Sequence, residues 1–133
     1  MDFDKAFGVD ESLMRDGVDV RFGEDAYITL RHSGASNRQY QAALTERVQR
    51  NWSATFNGHE RFAQQEALAQ ELFADVIVIG WRGVELDGAP LAFSRENVLK
   101  LFKKYPVVWD RVQTEAGRLS NFQREATVDG AKK

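Results

Sequence analysis

The 133-residue sequence contains no cysteine and only two histidines, His32 and His59. Without cysteine, neither a disulfide framework nor a thiolate metal site can form, and a reducing compartment is the natural one. The two histidines lack the paired spacing of a metal-binding motif, so we expect no metal and no cofactor. No serine lies in the context of a hydrolase nucleophile, and the sequence therefore favours a non-enzymatic protein.

Long hydrophobic runs are also missing. The longest strongly apolar run covers residues 76–81, whereas a membrane-spanning helix needs about 20 residues. The first five residues lack the basic and apolar regions of a signal peptide. We therefore expect no membrane contact and a location in the cytoplasm.

Acidic and basic residues nearly balance over the whole chain, but they are unevenly distributed along it. The net charge is −2, which does not favour a dedicated nucleic-acid binder. Residues 1–30 carry eight acidic and three basic side chains, net −5, whereas residues 95–125 carry seven basic and four acidic ones, net +3. One interpretation is ordinary solvated surface, and the alternative is that copies attract one another head to tail.

Length and a hydrophobic content of 43% are typical of one domain with a core. Residues 1–16 are acidic without a sustained period, which predicts a flexible arm. Alternation of apolar and polar residues over 18–22 and again over 27–30 predicts a half-buried β-hairpin. Two strands alone are marginal, so this hairpin needs helices or another strand beside it, and its edge is a candidate oligomer contact. We predict a single domain over 17–126 and a flexible tail over 127–133.

Four helices are predicted after this hairpin. The first starts at a capping box formed by Ser36 and Gln39, and the second runs from about 59 to 79. Its β-branched end, residues 76–79, also fits a strand. The third runs from Ser94 to about Lys104 and the fourth from Pro106 to about Ala126, with apolar residues at helical spacing. The predicted fold class is α+β, predominantly α-helical.

The loop between the first two helices contains Trp52 and Phe56. We expect this aromatic pair to fold back over the core, and an exposed docking patch is the alternative.

The stretch from Gly80 to Phe122 carries the clearest local signals. Asp87-Gly88 lies between two short apolar alternations and predicts a second, short hairpin, because Gly88 accepts the positive φ of a tight primed turn. Ser94 is a favoured helix N-cap, and Pro106 suits the first position of the next helix. Gly80-x-x-Gly83 is not followed by a helix, which disfavours a phosphate-binding loop.

An ordered series of residues in this stretch resembles the tail assembly chaperones of long-tailed (siphovirus-type) bacteriophages and prophages. The series is Trp81, Asp87, Gly88, Pro90, Phe93, Ser94, Asn97 and Pro106. Weaker similarity extends to the first hairpin and to a helix start at Asn37-x-x-Tyr40, so that residues 17–126 are covered. The resemblance implies a chaperone that self-associates and binds the tape measure protein. It keeps that protein soluble until tail tube protein polymerises around it.

The resemblance also implies where such a protein acts. It would work in the host bacterial cytoplasm and be absent from the mature virion. The family often makes a longer form by ribosomal slippage, which could carry the contact with tail tube protein. The lysines of residues 130–133 permit slippery codons. The candidates for partner contact are Trp81, Phe93 and Trp109, because aromatic residues often dominate contact surfaces, with core packing as the alternative for each.

Two other functions stay open. The third and fourth helices meet with almost no linker, as in a helix-turn-helix, so a phage DNA-binding regulator is one alternative. A proline joint and a last helix that is mostly apolar or acidic make nucleic-acid binding the weaker interpretation. A minor structural protein of the tail or head is the other alternative.

Overall fold

The computed structural model describes residues 1–50 and 58–123. Its helices are α1 (Phe3–Phe7), α2 (Glu11–Asp16), α3 (Arg38–Arg50), α4 (Gly58–Leu72), α5 (Arg95–Lys104) and α6 (Pro106–Gly117). A π-helical turn (Phe73–Ile77) continues α4, and a 3-10 helix (Leu119–Phe122) follows α6. The strands are β1 (Val18–Arg21), β2 (Tyr27–Leu30), β3 (Val78–Arg82), β4 (Glu85–Leu86) and β5 (Ala89–Pro90). The predicted α+β class is confirmed, although the details of the helices differ from the prediction.

A three-stranded antiparallel sheet in the order β1-β2-β3 forms one side of the fold. The predicted hairpin of β1 and β2 is present, with Val18 opposite Leu30 and Arg21 opposite Tyr27. β2 lies in the centre and pairs with β3 on its other side. The hairpin therefore obtains the neighbouring strand that a two-stranded ribbon needs.

The prediction that the second helix continues to residue 79 is wrong. Helical structure ends at Ile77, and β3 begins at Val78 without a loop. The Arg31 amide donates to the Ile77 carbonyl over 2.8 Å, so sheet hydrogen bonding begins in the last residue of the π-helical turn. β-branched side chains pack well on a pleated surface, and here that preference and the open edge of β2 together favour the strand.

The core lies between the sheet and the helices α3, α5 and α6. The π-helical turn buries four of its five residues and leaves only Asp75 toward the surface. Its Phe73 ring contacts Trp109 of α6 at 5.1 Å and Tyr40 of α3 at 5.8 Å between centroids, both edge to face. Phe102 of α5 packs on Trp109 at 4.9 Å. Such aromatic contacts add about 0.5–1.5 kcal/mol each to the burial of the rings.

The start of α3 differs from the predicted capping box. Asn37, not Ser36, caps the helix, because its Oδ1 accepts the Tyr40 amide over 3.0 Å. Gln39 is exposed, and Gln41 instead reaches back to the Gly34 carbonyl over 3.1 Å. The Asn37 side chain also donates to the His32 carbonyl over 2.8 Å, so one buried amide fixes both the loop and the helix start.

The last predicted helix is shorter than expected. α6 begins at Pro106 as predicted but ends at Gly117 rather than near residue 126. Carbonyls of its last turn find partners outside the helix, since Ala116 accepts from the Ser33 amide over 2.9 Å and Glu115 from the Asn121 side chain over 3.0 Å. These bonds replace the continuation of the helix.

The first 16 residues contain two short helices that the sequence pattern did not indicate. Asp2 and Asp10 cap them, which explains how an acidic segment forms helical turns. The segment also contacts the end of the fold, because the Asp10 amide donates to the Phe122 carbonyl over 2.8 Å and Gln123 donates to the Gly8 carbonyl over 2.9 Å. The flexibility and domain boundaries predicted from the sequence stay predictions. The predictions for Trp52, Phe56 and the tail 127–133 fall outside the described residues.

Candidate functional site

Trp81 and Phe93 form an aromatic pair at the surface of the protein. Their rings lie edge to face, 5.2 Å apart between centroids. Trp81 is partly buried against the core, whereas Phe93 is 40% exposed. We call these two side chains the aromatic pair. Its outer member, Phe93, therefore leaves part of an apolar ring at the surface.

Hydrogen bonds hold the aromatic pair in place. Trp81 lies on β3, and its Nε1 donates to the Leu91 carbonyl over 2.8 Å. The Leu91 amide donates to the Val84 carbonyl over 2.9 Å, and the Asn97 side chain donates to the Ala92 carbonyl over 2.8 Å. The extended segment that carries Phe93 is therefore fixed from both sides, and the exposed ring is presented by a rigid backbone.

The second hairpin, β4 and β5, forms as the sequence predicts. Asp87 has φ of 56° and Gly88 has φ of 80°, the conformation of a primed two-residue turn. The Asp87 carboxylate also lies 3.2 Å from Lys104 Nζ at the end of α5. The turn is therefore tied to the helix that follows Phe93, a contact that no sequence signal indicated.

The other residues of the series resembling the chaperones shape the backbone around the aromatic pair. Pro90 lies in β5 opposite Glu85. Ser94 caps α5 by accepting the Asn97 amide over 3.1 Å, and Pro106 occupies the start of α6. These residues set the direction of the chain before and after Phe93 and leave the ring of Phe93 as the exposed contact.

Trp109 does not belong to this surface. It is 4% exposed and lies between Phe73 and Phe102, so the core interpretation describes it. Only the structure shows that Trp109 lies on the inner face of α6. Residue type alone therefore could not separate it from Trp81. Tyr105 forms the joint between α5 and α6 and is 43% exposed.

A charged cluster lies at the N-terminal end of α5. The Asp75 carboxylate accepts from both Arg47 of α3 and Arg95 of α5. Burial by itself raises the pKa of Asp75, but the hydrogen bonds from Arg95 and Arg47 outweigh it and hold the pKa below 3.8. The cluster joins two helices around the π-helical turn and therefore has a structural role.

His32 is buried, and its Nδ1 has no hydrogen-bond partner within the described residues. The ring packs on Phe122 at 4.8 Å between centroids. Burial lowers the pKa of His32 from 6.5 by more than a hydrogen bond with the Gly117 backbone raises it.

Among residues 1–50 and 58–123, no three His, Asp or Glu side chains come together as a cation site. None of the helices in these two ranges has the length and apolar character of a membrane span.

The helices α5 and α6 are the two that the helix-turn-helix alternative would place on DNA, and both pack within this fold. Arg111 of α6 lies 4.6 Å over the Phe22 ring and donates to the Arg21 carbonyl over 2.7 Å. Its guanidinium is thus engaged within the protein. The inner face of α6 is occupied by the core residues Trp109, Val112 and Ala116.

Comparisons with known proteins give one finding. Neither the curated proteins nor the solved structures contain a match to this chain. A family model described as YdaY prophage protein matches residues 35–133. The match covers well over half of the chain and includes α3, the aromatic pair and α6. The chain therefore belongs to the YdaY prophage protein family.

Proposed function

We propose that this prophage protein is a non-enzymatic tail assembly chaperone that binds an apolar helical segment of the tape measure protein. The observation that carries the proposal is the aromatic pair, with a phenylalanine 40% exposed on a backbone fixed by hydrogen bonds. The prophage family and the resemblance of the surrounding residues to tail assembly chaperones give the protein its context.

The energetics of the aromatic pair suit a chaperone that must later be displaced. Full burial of a phenylalanine side chain contributes about 1.5–3 kcal/mol, and part of Phe93 is already covered by Trp81. One contact of this size gives weak binding, because each tenfold in affinity requires about 1.4 kcal/mol. Several copies bound along one partner hold it firmly, yet each copy can leave separately. Tail tube protein can then replace them one after another.

The proposal includes the compartment and the other partners. The chaperone acts in the host cytoplasm, self-associates and leaves before the virion is complete. Contact with tail tube protein runs through a longer form made by ribosomal slippage. Mass spectrometry of finished virions tests the departure, since a stoichiometric amount of the protein in virions would favour the structural alternative. Binding to DNA that weakens steeply with added salt would favour the regulator.

The direct test is co-expression with a fragment of the tape measure protein from the same prophage. We expect the wild-type protein to keep the fragment in the soluble fraction, and Phe93→Ser to lose this effect. Val48→Ser is the matched control, because Val48 is also an exposed apolar residue, 45% exposed, and lies on α3. Equal solubilisation by Phe93→Ser and wild type would refute the role of the aromatic pair. Failure of the wild-type protein to solubilise the fragment would refute the proposed function.

A further inference from the structure

We propose that copies of this protein associate head to tail, with α1 of one copy docked on the outer face of α5 of the next. The proposal deepens the self-association contained in the proposed function. It concerns surfaces separate from the aromatic pair, so that each can fail without the other.

The first surface is an acidic apolar knob at the start of the chain. Phe3 is 66% exposed and Phe7 is 54% exposed, and their rings contact each other at 5.2 Å. Residues 1–16 carry five acidic and two basic side chains, net −3. Exposed phenylalanines that pack on each other rather than on the core are typical of a surface that a partner covers.

The second surface is the outer face of α5. It forms a shallow hollow with Leu99 at its base. Charged side chains surround the hollow, namely Glu96, Lys100, Lys103 and Lys104. α5 carries four basic residues and one acidic residue, net +3, which matches the net −3 of the knob. A central leucine with a rim of lysines complements two phenylalanines with a rim of aspartates.

The knob does not cover the hollow within one copy, because Phe3 and Phe7 are both exposed there. The knob is anchored beyond the C-terminal end of α6, where Gln123 donates to the carbonyls of Ala6 and Gly8 over 3.2 and 2.9 Å. The basic end of α5 adjoins the N-terminal end of α6 at Tyr105. Because the Gln123 hydrogen bonds fix the knob with Phe3 and Phe7 exposed, the knob is available to the hollow of a different copy.

A contact between two different surfaces of the same chain is heterologous and can repeat. Each added copy exposes a new hollow at one end and a new knob at the other. The result is an open row or a ring, rather than a closed dimer. A second copy is the occupant that both the charges and the geometry fit.

The test uses two variants that each remove one side of the contact. Phe3→Ser with Phe7→Ser removes the apolar part of the knob, and Lys100→Glu with Lys103→Glu reverses the rim of the hollow. All four side chains are exposed, and circular dichroism checks that both variants fold. By sedimentation velocity at low salt, wild type should form species larger than a dimer as concentration rises. Each variant should associate about tenfold more weakly, which corresponds to about 1.4 kcal/mol.

The decisive measurement is an equimolar mixture of the two variants. The knob variant keeps its hollow and the hollow variant keeps its knob, so the mixture should form a 1:1 dimer that does not grow. Arg38→Glu is the control, because Arg38 is an exposed base on α3, and it should associate like wild type. A mixture that stays monomeric, or variants that associate like wild type, would overturn the proposal. Solubilisation of the tape measure fragment, measured in parallel, reports separately on the proposed function.

Discussion

Two glycines with nearly the same positive φ, Gly83 and Gly88, should respond very differently to the same substitution. Gly83 has φ of 72° and Gly88 has φ of 80°, so alanine costs about 1–2 kcal/mol at either position through the left-handed backbone alone. Part of this cost is offset, because alanine also reduces the entropy of the unfolded chain. We therefore expect Gly88→Ala to lower the free energy of unfolding by about 1 kcal/mol.

The surroundings separate the two positions. In the described part of the chain, a Cβ at Gly88 has no heavy atom within 4 Å, whereas a Cβ at Gly83 overlaps the Asp25 carbonyl oxygen and lies 2.8 Å from its carbon. Backbone cannot swing aside as a flexible side chain does, so the turn between β1 and β2 must move. Overpacking of this kind costs about 1–3 kcal/mol. Gly83→Ala should therefore lower the free energy of unfolding by about 3 kcal/mol in total.

Urea denaturation followed by tryptophan fluorescence and circular dichroism measures both values. Asparagine variants separate strain from overlap, because asparagine tolerates positive φ but still carries a Cβ. Gly88→Asn should be close to wild type, and Gly83→Asn should remain strongly destabilised. Alanine variants that agree within about 0.5 kcal/mol, or a Gly83→Asn variant near wild type, would refute the reasoning from close backbone approach.

Three further predictions follow from buried or paired groups. Trp109→Ala should lower the free energy of unfolding by about 3–5 kcal/mol in urea, as expected for loss of a core aromatic. Because the pKa of His32 lies below 6.5 in the folded protein, the unfolded state binds the proton more readily, and stability should fall as pH drops below 6.5. Thermal melts of His32→Gln should show a flatter slope there, and an unchanged slope would contradict this. Since the pKa of Asp75 is held below 3.8, its stabilisation is complete above that pH and lost as pH falls further. Asp75→Asn should lower the free energy of unfolding by about 1 kcal/mol at pH 7, because Arg47 and Arg95 lose their shared charged partner. The loss should be smaller in high salt, which screens these ion pairs.

Local signals predicted the part of the fold that local chemistry decides. The turn at Asp87-Gly88, the cap at Ser94 and the helix start at Pro106 are all present. Each depends on the φ preference or hydrogen bonding of one or two residues, and tertiary contacts do not oppose it. For this reason the hairpin before Phe93 and the starts of the two helices after it were predictable from the sequence.

Tertiary partners decided the parts that the sequence did not predict. Residues 76–79 are apolar on all sides and fit a helix or a strand, and pairing with the edge of β2 decides for a strand from Val78 onward. The last helix ends at Gly117 because Ser33 and Asn121 take carbonyls that a longer helix would use. Distant residues make these contacts, so periodicity carries no trace of them.

The candidate site shows the same division. The sequence predicted three aromatic contacts, Trp81, Phe93 and Trp109, without separating surface from core. Trp109 is buried because the π-helical turn and α5 bring Phe73 and Phe102 against it. Phe93 stays exposed because hydrogen bonds hold its backbone on the outside of the fold. Only the packing of the helices distinguishes the two, and residue type does not.

The proposed contacts share one helix, and this has a consequence for assembly. Phe93 immediately precedes the cap of α5, and Lys104 at the other end of α5 holds the turn at Asp87. If the knob of a neighbouring copy docks on the outer face of α5, each copy in a row presents its own Phe93 at a fixed distance from the next. A long amphipathic partner would then meet a regular series of weak apolar contacts. Under both proposals, head-to-tail association would let single contacts of a few kcal/mol hold a long helix and still release it stepwise.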